Sequence, residues 1–292
     1  MPPIATYVFL DLETTGLPAE ENNKTKITEL SLVAVKREHV LDTRVGATPR
    51  IQHKLTLCFN PGRMVAPTCT EVTGLCNDLL ECESYFNIDT FRLINTFLKT
   101  LTKPVCLIAQ NGHRFDFPIL KNHFVKLGVS LSDDILCADC LHSFYDILEK
   151  KKYENTAAAK SNECDTSISL NECDKEPDAS NGDTNYFQLK NEKTPERPVN
   201  TKKIIRPSPI SKVRRRFPWS RGEKPEEKYK LKDIYERLLN RKAEEAHRAE
   251  NDCLFALAGF VALSKEMVQW FDENHCLFSE VKPMRIGVPL GY

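Results

Sequence analysis

Alternating apolar and polar positions organise the first half of the chain. Tyr7–Leu12 opens on an apolar run, and Lys26–Lys36 and Ile51–Phe59 alternate with the period of strands that have one covered face. The rhythm then becomes helical. Pro67–Leu80 and Phe86–Leu101 predict helices, the second with Phe91, Ile94, Phe97, Leu98 and Leu101 at helical spacing. Pro104–Gln110 is almost wholly apolar, the pattern of a strand buried on both faces. A helix is expected over Phe117–Leu127, ended by Gly128, then a short strand and helix over Asp134–Leu148. Further on, Leu231, Ile234, Tyr235, Leu238 and Leu239 share one helical face, and a longer helix is expected over Glu250–Asp272. The class is α/β, a mixed central sheet flanked by helices.

Composition divides this pattern. Residues 1–150 read as the first part of one domain and 228–280 as its C-terminal helices, followed by an irregular tail over 281–292. Between them, 151–227 is poor in large apolar residues, acidic from Glu154 to Asp183 and basic from Thr184 to Lys224. Such a stretch cannot bury enough surface to offset its ordering entropy, so a disordered insertion is expected. Its basic segment, KKIIRPSPISKVRRRFPWSRGEK (202–224), fits extra DNA contact, nuclear localisation, a docking segment or a solvated linker. Phosphorylation at Thr194-Pro195 or Ser208-Pro209 would weaken a basic contact.

Lys plus Arg and Asp plus Glu each number 41, so net charge argues neither for nor against a nucleic-acid partner. The chain has 11 cysteines, an odd and scattered set. Cys137 and Cys140 form one CxxC, but no second pair stands at a zinc-site spacing, which favours reduced thiols in an intracellular protein. No apolar run approaches the ~20 residues of a membrane span, and the N-terminus does not read as a signal peptide. A soluble protein of the cytoplasm or nucleus is expected.

The carboxylates change the picture further. Asp11 and Glu13, two apart on a strand, point to the same side. Like charges that close repel unless one is protonated or a cation lies between them. Asp116 stands at a strand-to-helix turn, and His247 precedes Asp252 by five positions. On a helix five positions is a rotation of about 140°, so the pair converges better with His247 in the loop and Asp252 in the first turns. Each has a simpler reading: solvated acids at a strand end, a helix cap, a surface histidine and a helix-dipole partner.

Together they form DxE, D and HxxxxD, which resembles the DEDDh exonucleases and, more narrowly, the three-prime repair exonuclease family. The resemblance rests on FLDLETTGLP, TEVTGL (Thr70–Leu75), AQNGHRFDFPIL, YKLKDIYERL and AHRAENDCLFAL, in that order. It covers about 4–150 and 228–272, and the insertion departs from it. It implies an RNase H-like, DnaQ-like exonuclease fold and a 3′–5′ DNA exonuclease releasing deoxynucleoside monophosphates from single-stranded or frayed DNA 3′ ends. Two Mg²⁺ ions, with Mn²⁺ able to substitute, would lie about 3.5–4 Å apart among Asp11, Glu13, Asp116 and Asp252.

By the same resemblance Asp11 would contact both ions, Glu13 and Asp252 the first, and Asp116 would act partly through waters. His247 would be the general base, a task for which an imidazole's ordinary titration near pH 6.5 is suited and which predicts a rate falling below that pH. Leu17 and Pro18, with Val72 opposite, would wedge against the terminal bases, or simply pack a turn and a helix. Backbone near Glu13 and Thr14 would hold the 3′-hydroxyl and sugar. Arg114 suits phosphate contact and Phe115 stacking, although relatives often carry Tyr at the Phe115 position. A homodimer paired through an edge strand at about 51–59 is implied. Some members carry a C-terminal membrane tail, and the chain to Tyr292 shows none. Two other readings stand beside this one: an exonuclease of the same superfamily acting on RNA, and an inactive nucleic-acid-binding scaffold.

Overall fold

The computed structural model describes residues 2–164, 216–220 and 224–290. Met1–Lys152 with Ser211–Tyr292 make one compact unit and Tyr153–Ile210 a second. Of the expected insertion, 165–215 and 221–223 lie outside the described residues, and with them most of the basic segment and both Ser/Thr-Pro sites.

Six strands make the sheet: β1 (Thr6–Thr14), β2 (Ile27–Lys36), β3 (His53–Cys58), β4 (Val105–Ala109), β5 (Leu136–Asp139) and β6 (Cys276–Leu277). Their order is β3-β2-β1-β4-β5-β6. β1 pairs antiparallel with β2 and parallel with β4, β5 runs parallel to β4, and β6 returns antiparallel to β5. The sheet is therefore mixed, as the pattern predicts.

The two faces of β1 explain the layering. Val8, Leu10 and Leu12 point to one side, into a core with α4 (Ile88–Lys99) and α5 (Asp116–Lys126). Tyr7 and Phe9 point to the other, into a core with α6 (Cys140–Cys164), α7 (Leu231–Leu239), α8 (Ala249–Ala262) and α9 (Ser264–Glu273). Phe260 of α8 centres this second core, with its ring 4.9 Å from Tyr7, 5.6 Å from Phe9 and 5.3 Å from Phe271. Three short helices complete the set in chain order between β2 and α4: α1 (Arg37–Leu41), α2 (Pro67–Thr73) and α3 (Asn77–Leu80).

Several expectations need correction. Pro67–Leu80 is not one helix: Gly74 adopts φ 74°, closing α2 before α3 begins. Glu250–Asp272 breaks at Leu263 into α8 and α9, which are bent by 103°. The bend lets both helices cover the sheet, where a straight rod would leave it. Helix α6 continues past 150 to Cys164. The segment 228–280, expected to be helical, also carries a strand, β6, that two residues of pattern cannot reveal. No single helix among the described residues is long and apolar enough to cross a membrane.

Replacing Phe260 with alanine removes three ring contacts and leaves a cavity in a packed core. The expected loss is about 3–5 kcal/mol of stability. A urea midpoint lowered at constant m-value would record it, and a shift worth under about 1 kcal/mol would show that this ring does not anchor α8.

Candidate active site

On β1 the side facing α8 reads Tyr7, Phe9, Asp11, Glu13. The apolar face turns acidic where the strand leaves the core, at the carboxyl end shared with its parallel neighbour β4, the usual ligand edge of such sheets. Chain leaving β4 passes Asn111 (φ 57°) and a 3-10 turn, Gly112–Arg114, before α5 starts at Asp116. A Cβ on Gly112 would lie 2.7 Å from the Ala109 Cβ and 2.8 Å from the Phe117 ring, so the turn requires glycine. Asp116 is not the helix cap, a position Phe115 holds without a side-chain bond. Its carboxylate is 2% exposed, and Oδ1 has no hydrogen-bond partner among the described residues.

Helix α8 delivers Asp252 from the other side. Cys253 seats the helix on the sheet, its Sγ donating to the carbonyls of Phe9 at 3.3 Å and Ser31 at 3.6 Å. His247 lies in the preceding loop at φ 68°, and its backbone N–H donates to both Asp252 oxygens at 3.4 and 3.3 Å. Ligand atoms of Glu13, His247 and Asp252 all lie within 4.8 Å of one another. The structure thus brings Asp11, Glu13, Asp116, Asp252 and His247 to one place, with His247 exposed in the loop and Asp252 in the helix.

Glu29 escaped the pattern reading. It stands opposite Glu13 in the β1–β2 register, and its Oε2 accepts from the Ala249 N–H at the start of α8. In ITELSLVAVK it looks like an ordinary polar position of a strand. Asp139 escaped too. Its buried carboxylate accepts from the N–H groups of Asn111 (2.9 Å), His113 (3.2 Å) and Leu141 (3.0 Å), and so holds the turn that carries Asp116. Burial raises its pKa to about 6, against the pull of His113 and these donors.

Electrostatics follow from crowding. Burial, then the charges of Asp116, Asp252, Glu13 and Glu29, push Asp11 well above the carboxylate range. Burial and the charges of Asp252, Glu29 and Asp116 raise Glu13 to about 9. Asp116 is raised by burial first, with hydrogen bonds from its own and the Leu12 backbone opposing. Asp252 is raised by burial, while the neighbouring His247 lowers it. Without a counter-ion the ionised forms of these groups are costly together. Hard oxygen donors, one of them orphaned, fit a divalent cation such as Mg²⁺ or Mn²⁺.

A family model described as Exonuclease (RNase_T) matches residues 8–167. Three-prime repair exonuclease 1 of Bos taurus is 30% identical over 295 residues, 97% of this chain and 71% of the relative. Three prime repair exonuclease 2 of Mus musculus is 40% identical over 148 residues, 48% of this chain and 61% of the relative. The chain belongs to the three-prime repair exonuclease family. Its enzyme class is that of the 3′–5′ exonucleases. E. coli exonuclease I, solved with single-stranded DNA, aligns with a TM-score of 0.51 at 15% identity over 92% of this chain and 42% of that one, which shows a shared fold.

Of the expected substrate contacts, this exonuclease gathers some and separates others. Leu17, Pro18 and Arg114 line one groove of about 500 Å³, joined by Asn111 and Phe217. The Arg114 guanidinium lies 4.0 Å over the Phe217 ring, which stacks on Trp219 at 5.2 Å. Val72 is exposed on α2, outside that lining. Phe115 packs half-buried against the core that β1 shares with α4 and α5, and Thr14 donates to the Gly16 carbonyl at 3.1 Å.

In the metal-free protein Glu13 keeps its proton up to about pH 9, while an ordinary glutamate loses it near 4.5. The folded state then binds more protons than the unfolded one across that window, so stability falls as pH rises through it. Urea midpoints in EDTA should decline between about pH 5 and about pH 8, less steeply in Glu13→Gln, and a divalent cation should restore them. A midpoint that rises with pH in EDTA would show the acids are ionised without metal.

Proposed function

We propose that this chain hydrolyses DNA from the 3′ end, releasing deoxynucleoside monophosphates from single-stranded or frayed termini with the help of two divalent cations. The carrying observation is the convergence of Asp11, Glu13, Asp116 and Asp252 on one edge, with the Asp116 oxygen buried and unpartnered. The names of its relatives and the DNA held by a protein of the same fold support the choice of nucleic acid.

Asp11, Glu13, Asp116 and Asp252 would hold the cations. When bound, these supply a water of lowered pKa and neutralise charge on the leaving 3′-oxygen. His247 would accept the proton of the attacking water, whose oxygen bonds to phosphorus as the bond from phosphorus to the 3′-oxygen breaks, and the leaving 3′-oxygen takes a proton from solvent. The Asp252 carboxylate takes the His247 backbone N–H, which fixes the loop that carries the imidazole and keeps the ring near Glu13 and Asp252. Leu17 and Pro18 offer an apolar edge to a base, and Arg114, braced on Phe217, offers donors to a phosphate. Such contacts read stacking and charge, so weak base specificity follows. Among the described residues strand β3 is a sheet edge paired only to β2, the place where a second copy could add a strand.

A single-stranded DNA labelled at its 5′ end, with a 3′-labelled copy and a matched RNA, tests the reading. With Mg²⁺ the expected products are a descending ladder from the first and mononucleotide from the second. EDTA and Asp252→Ala should silence both, and His247→Ala should lower kcat by about 10²–10⁴-fold. Intact DNA in every lane with folded protein would reject the activity, and RNA degraded faster than DNA would reassign the substrate.

A further inference from the structure

The CxxC does not act as a pair. Cys140 belongs to the α6 side of the sheet, where its thiol donates to Gln110 Oε1 at 3.1 Å, whereas Cys137 faces the opposite core. Cys137 meets a cysteine far along the chain. It stands directly across from Cys276 in the β5–β6 register, and the two sulfurs are 3.5 Å apart. His113, from the turn before α5, completes the group: one ligand atom from each of the three lies within 4.8 Å of the others. All three are buried, Cys137 fully and His113 and Cys276 each 8% exposed.

We infer that His113, Cys137 and Cys276 form a second metal site, distinct from the carboxylate centre, that binds a thiophilic d¹⁰ cation of the Zn²⁺ class. Two soft sulfurs and an imidazole nitrogen match zinc and leave Mg²⁺ without a partner. Zn–S bonds of about 2.3 Å at tetrahedral angles place two sulfurs about 3.8 Å apart, close to the 3.5 Å separation present before any ion enters. Binding displaces both thiol protons, and two thiolates with a neutral imidazole balance the charge of Zn²⁺, which suits a buried position. Three protein donors leave the fourth position to a water. A disulfide would use the two sulfurs alone and leave the converging histidine without a role.

The site explains more than its own residues. His113 stands three positions before Asp116, and its backbone N–H is already held by Asp139. An ion on His113 ties that turn to β5 and β6, and so steadies the platform carrying Arg114 and Asp116. The ion is structural and takes no part in phosphodiester hydrolysis.

The test uses the full chain, reduced, stripped with EDTA, desalted and returned to excess Mg²⁺ so that the carboxylates are occupied. Zn²⁺ or Co²⁺ is then added and unbound metal removed by gel filtration. The expected result is one retained equivalent, a thiolate-to-cobalt charge-transfer band in the near ultraviolet, and a higher Tm with zinc than without. Cys276→Ser and His113→Ala should weaken retention and diminish the band, whereas Asp252→Asn should keep both. The spectrum of the wild-type protein decides even where a variant does not fold. No retained metal and no charge-transfer band would overturn the site, as would a Cys137–Cys276 disulfide found by mass in protein purified without reductant. Neither result touches the hydrolysis assay, which reads the carboxylates.

Discussion

The repulsion among crowded, largely enclosed carboxylates governs this structure. Asp11, Glu13, Asp116 and Asp252 stand close together, with the charge of Glu29 beside them, and burial raises all four by removing the water that would screen them. A pocket of this kind is stable only with protons, with cations, or with fixed dipoles turned towards it. The fold supplies the third from its own backbone. Helix α5 begins at Asp116 and α8 begins three residues before Asp252, so two positive helix ends meet at the acids. Backbone N–H groups add to this, Leu12 and Asp116 towards Asp116, His247 towards Asp252 and Ala249 towards Glu29. These dipoles reduce the repulsion without removing it, which leaves a demand for cationic charge.

Holding such a pocket open needs rigid supports, and the second core provides them. Phe260 packs on Tyr7 and Phe9, the residues that precede Asp11 on the same face of β1. One aromatic cluster therefore fixes both the strand bearing Asp11 and Glu13 and the helix bearing Asp252. Cys253, next to Asp252, is small enough to let α8 approach the strand carbonyls. A larger side chain there would lift Asp252 from its partners. The stability of the core is thus spent against the electrostatics of the site, in the manner expected where activity and stability conflict.

Much of this was legible from residues. The parity of Asp11 and Glu13 places both on one face, and the five-residue step from His247 to Asp252 requires a loop followed by a helix. Alternation located β2 and β3, and apolar runs β1 and β4, within two residues at each end. What stayed hidden depends on distant chain. Glu29 is unremarkable until register sets it across from Glu13, and Asp139 until the turn at 111–113 folds back over it. Cys137 meets Cys276 only through β6, a two-residue strand defined by its partner. The breaks at Gly74 and Leu263 were missed because apolar spacing continues across them, while the direction of the helix is set by the sheet beneath.

The distribution of supports also separates what must be fixed from what must move. The acids sit on β1, α5 and α8, elements whose ends are held by packing and by backbone hydrogen bonds. His247 alone is in a loop, exposed, and at a positive φ that costs a non-glycine residue about 1 kcal/mol. Histidine is among the residues that tolerate this region best. The conformation persists because its N–H is committed to Asp252, so the strain is repaid by a bond to the site itself. The acids thus stand on rigid elements, and His247 stands beside them on a loop tied to Asp252 by its own backbone.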